Sequence, residues 1–343
     1  MKILIVKLSS LGDVLHNLPI IWDIRRAYPQ AQLDWLVEEA YVELLQPLRS
    51  TPSYKGIDHI IPLGLRRIRK QWSTKGTLQS LKELNDQKQV LQDTTYDMVI
   101  ETQGLLKAAM MTAIAKKTST AVVAGIGNQT EDSGYEPLSR MFYNKSVKVP
   151  LHYHAIDRSR AVAAGAMTQA IPDRQNYPPQ FYPGDYINHL NQQENPLGLM
   201  KGSYVMCFHA TARIAKGWQE NHWIALGQFL ASKNLTAVFP WGNENEKKIS
   251  EVLAKDIPGA IVPKAFSIQD AFVINAQSKF VIGVDTGLTH LAAVLGVPTI
   301  ELYIDSPKWK TEGYWSEKVI NLGDKQQAPT FEEVISAASK LII

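Results

Sequence analysis

The 343-residue chain contains one cysteine, Cys207, and that scarcity removes whole classes of chemistry. An internal disulfide is impossible, as is a metal site built from several thiolates, so a reducing cytosol is the simpler home. Its neighbours Val205, Met206 and Phe208 mark Cys207 as a small core residue and not as a nucleophile. No Asp-x-Asp pair, His-Glu-x-x-His motif or Cys/His cluster occurs, so no metal site is expected. A Gly-x-x-x-x-Gly-Lys-Ser/Thr loop is also missing, which argues against a P-loop nucleotide hydrolase. The three-glycine dinucleotide fingerprint is absent too: the first candidate turn offers only Gly12, and Gly125-Ile126-Gly127 lacks the third glycine. No apolar run approaches the roughly 20 residues that cross a bilayer. The opening Met1-Lys2-Ile3-Leu4-Ile5-Val6 is too short for a secretion signal and reads as a first strand.

What is present is ordinary in bulk and uneven in detail. Hydrophobic residues make up 45% and charged residues 20%, enough apolar material for complete cores. The length favours two domains. A net charge of +3 is too small to imply nucleic acid, yet residues 59–82 carry Arg66, Arg67, Arg69, Lys70, Lys75 and Lys82 with no acid between them.

Apolar runs alternate with helix-like segments in both halves, the pattern of parallel sheets covered by helices. Strands are expected at residues 2–8, 32–37, 59–62, 98–101 and 121–124, with helices near 13–28, 42–48, 77–91 and 105–116. In the second half, strands are expected at 204–209, 236–240, 260–262, 279–284 and 299–302, with helices near 222–232, 244–254, 268–276 and 287–295. Residues 171–184, rich in proline and amides, suit a linker. The expected division is a first domain at 1–170, the linker, a second domain at 185–328 and a final helix at 329–343, begun by Thr330 with Glu333 at the capping-box position. Domains of this type hold ligands at the carboxyl ends of their strands, so the loops that follow strands are the informative ones.

The loop after the apolar run Phe280-Val281-Ile282-Gly283-Val284 reads Asp285-Thr286-Gly287-Leu288-Thr289-His290 and leads straight into Leu291-Ala292-Ala293. A helix beginning there presents backbone N–H groups without internal partners, a natural seat for phosphate. Gly287 lets a ligand approach the backbone, and Thr286 and Thr289 add hydroxyls; the plainer reading is a helix cap by Asp285 or Thr286. After the strand at 204–209, Thr211 and Lys216 suit phosphate oxygens. After the next strand, Glu246 in a first helical turn suits a ribose diol or merely the helix dipole. In the first half, Ser9, Ser10, Gly12 and Asp13 crowd the turn after the first strand, where Asp13 reads equally as a cap or a catalytic carboxylate.

Together, Lys7-Leu8-Ser9-Ser10-Leu11-Gly12-Asp13-Val14-Leu15-His16 and Asp285-Thr286-Gly287-Leu288-Thr289-His290 resemble the ADP-heptose glycosyltransferases of lipopolysaccharide core synthesis, glycosyltransferase family 9. The likeness extends through Asp34-Trp35-Leu36-Val37-Glu38-Glu39, Arg66-Arg67-Ile68-Arg69-Lys70, Glu101-Thr102-Gln103-Gly104-Leu105-Leu106-Lys107, Phe142-Tyr143-Asn144 and Pro240-Trp241-Gly242. It implies an α/β fold of two Rossmann-like domains with parallel sheets facing a cleft, the GT-B arrangement, with the C-terminal helix crossing back to the first domain. It implies metal-independent, inverting transfer of L-glycero-D-manno-heptose from ADP-heptose, a substrate and not a cofactor, to the inner Kdo of Kdo2-lipid A. Asp13 would then be the general base. Thr211, Lys216, Thr286 and Gly287 would hold the diphosphate and stabilise the departing ADP, Lys216 in a catalytic as well as a binding role. Glu246 would bind the ribose, and Asp285 and His290 would shape or contact the donor site. Ser10, Gly12, Arg66, Arg67, Arg69 and Lys70 would serve the acceptor, with Trp72 beside them. The basic run would also suit the anionic cytoplasmic face of the inner membrane, making this a peripheral enzyme.

Some residues depart from the family pattern. Ala212 and Ile214-Ala215 stand where a second threonine and acids are expected, Tyr303-Ile304 lacks a glycine after the tyrosine, and Gly134-Tyr135 replaces a basic acceptor contact. Alternatives are a related enzyme adding the second heptose, a nucleotide-sugar epimerase of the same architecture, and a nucleotide-binding regulator without turnover.

Overall fold

A computed structural model describes residues 1–68, 77–211 and 217–342, with side chains at 77, 78, 80 and 81 left aside. Two compact units, Met1–Gln180 and Phe181–Ile343, divide the chain. The boundary falls within the proline-rich stretch at 171–184.

The first unit is built on a six-stranded parallel sheet: β1 (Lys2–Val6), β2 (Gln32–Glu38), β3 (His59–Leu63), β4 (Tyr96–Glu101), β5 (Lys117–Ile126) and β6 (Lys145–Val147), in the order β3-β2-β1-β4-β5-β6. β1 sits near the centre, with Val6 in register with Leu36 on one side and Glu101 on the other. Ile3, Leu4, Ile5 and Val6 are all buried, as a strand covered on both faces requires. The second unit has five parallel strands: β7 (Tyr204–Phe208), β8 (Thr236–Val238), β9 (Phe280–Val284), β10 (Thr299–Tyr303) and β11 (Val319–Gly323), ordered β11-β10-β9-β7-β8. Cys207 lies in its core with Trp223, Phe239 and Ile282, and burial pushes the thiol well above its ordinary range. It is therefore a packing residue.

The edges of both sheets depart from the sequence expectation. β6 and β11 are short or half-buried edge strands that lack a strong apolar run. Residues 260–262 form no strand; a single bridge joins Ile261 to Val238. The helix Ala155–Met167 was not anticipated, because Asp157, Arg158, Ser159 and Arg160 interrupt its apolar pattern yet lie buried. They are accommodated by pairing: both nitrogens of an Arg160 fork meet Asp23, at 2.8 and 2.9 Å, and Asp157 accepts from Arg174. His154 caps this helix by accepting from the Ile156 N–H at 3.1 Å.

In the C-terminal helix, Phe331–Ile342, the side chains of Val334, Ala337 and Ala338 belong to the second unit's core, and the helix packs on the Glu220–Ser232 helix, β10 and β11. The Thr330/Glu333 capping box forms as the sequence indicates, with Glu333 accepting from the Thr330 N–H at 2.8 Å.

The Arg160–Asp23 pair joins residues distant in sequence, with both side chains almost fully buried. Arg160→Met should lower unfolding stability by about 3 kcal/mol, because it leaves the buried Asp23 carboxylate with only the more exposed Arg26 as a charged partner. Denaturant titration checks this, and the double variant Asp23→Leu with Arg160→Met should recover much of the loss.

Candidate active site

In the first unit, β1 ends beside β4, so the turns after the two strands share an edge. Lys7, just past β1, is buried and donates to the Thr102 carbonyl at 3.3 Å. Gln103 accepts from the Leu8 N–H at 3.0 Å, and the Ser9 hydroxyl accepts from Lys107 at 3.2 Å. The short helix Leu11–Leu15 then begins, and Asp13 accepts from both the Ser10 N–H at 3.0 Å and the Ser10 hydroxyl at 2.8 Å. Asp13 is thus a cap in geometry, but its electrical environment is unusual. Burial works to raise its pKa; the Lys7 ammonium, the two Ser10 hydrogen bonds and the Arg158 guanidinium outweigh that and bring it down to about 2. Arg158 is itself buried and donates to Thr130 and Ser133. The carboxylate is ionised throughout the physiological range.

Of the basic run, Arg69, Lys70 and Trp72 lie outside the described residues. Arg66 donates to the Tyr41 hydroxyl at 2.8 Å, with its guanidinium over the Tyr41 ring. Arg67 is placed differently from the sequence expectation. It donates to Glu39 at 2.9 Å and to Glu83 at 2.6 Å, so acids supplied from other elements neutralise a segment that has none of its own. That pairing ties Arg67 to the protein and leaves it a poorer acceptor contact than its sequence suggested.

In the second unit, the loops after β7 and β8 enclose a cavity of about 330 Å³, lined among others by His209, Thr211, Trp218, Trp223, Glu246 and Ile249. Thr211 and Glu246 thus line the same cavity, while Lys216 lies outside the described residues. Asn243 caps the Glu244–Lys255 helix by accepting from the Asn245 and Glu246 N–H groups. The Glu246 carboxylate is not needed for that purpose; one oxygen accepts from the Gly242 N–H at 2.7 Å. His209 donates to or accepts from Ser250 at 2.8 Å, and burial brings its pKa down to about 4 against a smaller upward effect of the Pro240 backbone. It contributes an uncharged ring to the cavity wall.

β9 pairs with β7, so Asp285, Thr286 and Gly287 follow a neighbouring strand end, although they do not line that cavity. Thr286 is the extended N-cap residue of the Gly287–Val294 helix but makes no side-chain cap hydrogen bond. The Thr286 side chain thus does not close off the first helical N–H groups, as an anion seat requires. Thr289 departs from expectation: it is buried and its hydroxyl donates to the Val284 carbonyl at 2.9 Å. Gly283 makes room for that hydroxyl, which a Cβ there would strike. His290 is also buried, with Nε2 against Asp285 at 3.0 Å and Nδ1 against Glu301 at 2.9 Å. Its ring is thereby held between two carboxyl groups.

The sequence reading missed Lys7, Arg158, Glu301 and Tyr303. A charge inside an otherwise apolar strand was the available signal, as in Thr299-Ile300-Glu301-Leu302-Tyr303. Among the described residues no group of three or more His, Cys, Asp or Glu is arranged to hold a metal ion, and no helix is long and apolar enough to cross a membrane.

Residues 86–340 match glycosyltransferase family 9 (heptosyltransferase). The chain is 33% identical over 321 residues to lipopolysaccharide heptosyltransferase 1 of Escherichia coli K12, covering 93% of each chain. It superposes on the E. coli heptosyltransferase WaaC with ADP at a TM-score of 0.79, with 30% identity over 99% of this chain and 100% of that one. The same enzyme with ADP-2-deoxy-2-fluoro heptose gives a TM-score of 0.74 over 100% and 99% of the two chains, again at 30% identity.

The depressed pKa of Asp13 has a measurable consequence. Its value falls from 3.8 to about 2 on folding, so its contribution to stability is complete above about pH 5 and is lost as the pH falls through about 2. The difference in unfolding midpoint between wild type and Asp13→Asn should be constant above about pH 5 and should close towards pH 2.

Proposed function

The chain belongs to glycosyltransferase family 9, the heptosyltransferases, and is an enzyme of heptose transfer in lipopolysaccharide core synthesis using a nucleotide-sugar donor; from this we propose that the donor is ADP-L-glycero-D-manno-heptose, the acceptor the inner Kdo of Kdo2-lipid A, and Asp13 the general base. One observation carries the proposal: an ionised, half-buried carboxylate stands at the carboxyl end of the central β1, held through one oxygen by Ser10. In the proposed step an acceptor hydroxyl oxygen attacks the anomeric carbon, and the bond from that carbon to the ADP phosphate breaks. ADP leaves with the bonding electron pair, and the hydroxyl proton passes to Asp13. Attack opposite the leaving group inverts the anomeric centre. The hydroxyl becomes a strong acid only as its new bond to carbon forms, so a weakly basic but fully ionised carboxylate suffices.

On the donor side, the N–H groups at Thr286 and Gly287 face charge that grows on the departing diphosphate. Thr211 and Lys216 add a hydroxyl and a cation, and Glu246 accepts from the ribose hydroxyls on the cavity that it shares with Thr211. We assign the acceptor to Ser10, Gly12, Arg66, Arg69 and Lys70, with Arg67 held in reserve by Glu39 and Glu83. Protein donors handle the diphosphate without a metal or cofactor. A lipid-linked acceptor supports a peripheral position for the working enzyme at the cytoplasmic face of the inner membrane.

Incubation with ADP-heptose, with and without Kdo2-lipid A and in the presence of a chelator, tests this reading. ADP release that depends on the acceptor, with one heptose added to its mass, is expected. A product formed without acceptor would favour epimerisation, and ADP binding without turnover would favour a regulator. Asp13→Ala should lower kcat by about 100-fold or more while ADP affinity stays within about twofold of wild type.

A further inference from the structure

Glu301 lies inside β10 with no exposed surface, between Ile300 and Leu302, where an apolar side chain would serve the core better. Its hydrogen-bond partners His290, Tyr303 and Gly313 can all donate. One oxygen faces His290 Nδ1 at 2.9 Å; the other accepts from the Tyr303 hydroxyl at 2.7 Å and the Gly313 N–H at 3.3 Å. The far side of the His290 ring faces an Asp285 oxygen at 3.0 Å, and the Thr311 hydroxyl donates to that same oxygen at 3.3 Å. Ionised carboxylates only accept, so both ring nitrogens are satisfied together only when both carry protons. His290 is therefore an imidazolium between two carboxylates. Consistently, Glu301 and Asp285 overcome the opposing effect of burial and push its pKa up to about 10.

The chain of contacts surfaces at Asp285, between β9 and the helix whose N-terminus is assigned to the diphosphate. A carboxylate there repels phosphate, and its favourable partners in a bound donor are the neutral hydroxyls of the transferred sugar. We propose that Glu301 is a positioning residue for the donor's glycosyl group: buttressed by Tyr303 and Gly313, it orients the His290 ring, which fixes the Asp285 carboxylate towards the sugar hydroxyls. The proposal rests on the donor-site assignment above and assigns to β10 a part in sugar recognition without touching substrate.

Glu301→Gln keeps the shape and an acceptor for Tyr303 but removes the charge that holds His290 protonated. Asp285, Glu301 and, through Glu301, Tyr303 face that ring. The KM for ADP-heptose should rise about tenfold, while the Kd for ADP, which has no sugar to orient, stays within about twofold by calorimetry. In wild type that KM should be flat between about pH 6 and 9; in Glu301→Gln it should climb with pH across that interval as the ring loses its proton. Glu301→Asp, which retains the charge, should restore the flat profile. A wild-type KM and flat profile in Glu301→Gln would overturn the proposal, as would a matching loss of ADP affinity, which would mark Glu301 as general support for the loop. If Glu301→Gln does not fold, Tyr303→Phe is read in its place: a KM rise of about threefold with ADP affinity retained supports the relay, and an unchanged KM rejects it. Failure of the donor assignment itself is distinguishable, because wild type would then neither bind ADP nor turn over ADP-heptose.

Discussion

A parallel strand covered by helices on both faces has no polar surface of its own, so a hydrogen-bonding side chain finds water or ligand only at the turn that follows it. Both units obey this constraint. β1 is buried through Val6 and then delivers Lys7, Ser9, Ser10 and Asp13 in quick succession; β9 is buried through Val284 and then delivers Asp285, Thr286 and Gly287. The helix that starts at each turn adds N–H groups that its own backbone does not satisfy. The proposed base and the proposed anion seat are thus products of one architectural rule applied twice.

Charges that lie farther back along the strands survive by a second rule, which is complete pairing. Glu101 closes β4, and Glu301 sits inside β10; each accepts from a tyrosine hydroxyl and from a glycine N–H. Burial raises the pKa of Glu101 against the opposing effect of Tyr143, Gly104, Gln103 and Lys7. In both places the backbone donors come from the loop beyond the strand, so the buried carboxylate also ties down the geometry of that loop. The cost of burying the charge is offset by the hydrogen bonds that order the turn beyond the strand.

Where the sequence was informative, it was because a local pattern had one physical solution. The run Phe280 to Val284 followed by small and hydroxyl residues could scarcely be anything but a buried strand entering a helix, and Thr330 with Glu333 could scarcely avoid forming a capping box. The Ala155–Met167 helix was hidden because its legibility depends on Asp23 and Arg174, which neutralise residues that otherwise look like surface. Arg67 misled for the converse reason. Its own segment lacks acids, but Glu39 and Glu83 arrive from elsewhere in the chain. Thr289 looked like a ligand hydroxyl and proved to be bonded to Val284 beneath the helix. Pattern reading places elements well and fails where a side chain's partner is remote.

Asp13 combines both rules. As a residue of the first helical turn it accepts from Ser10, which any capping carboxylate does; what separates it from an ordinary cap is the pair of buried cations, Lys7 and Arg158, acting on it. A cap on a soluble helix needs no such company, since the helix end itself already favours negative charge. Burying two cations is costly unless they act on something, and here the shared beneficiary is a carboxylate kept ionised in spite of its own burial. That arrangement trades basicity for certainty of charge. The trade suits a glycosyl transfer in which bond making to carbon acidifies the acceptor hydroxyl before its proton has to move, and it would serve poorly for a base required to abstract a proton from a neutral alcohol unaided.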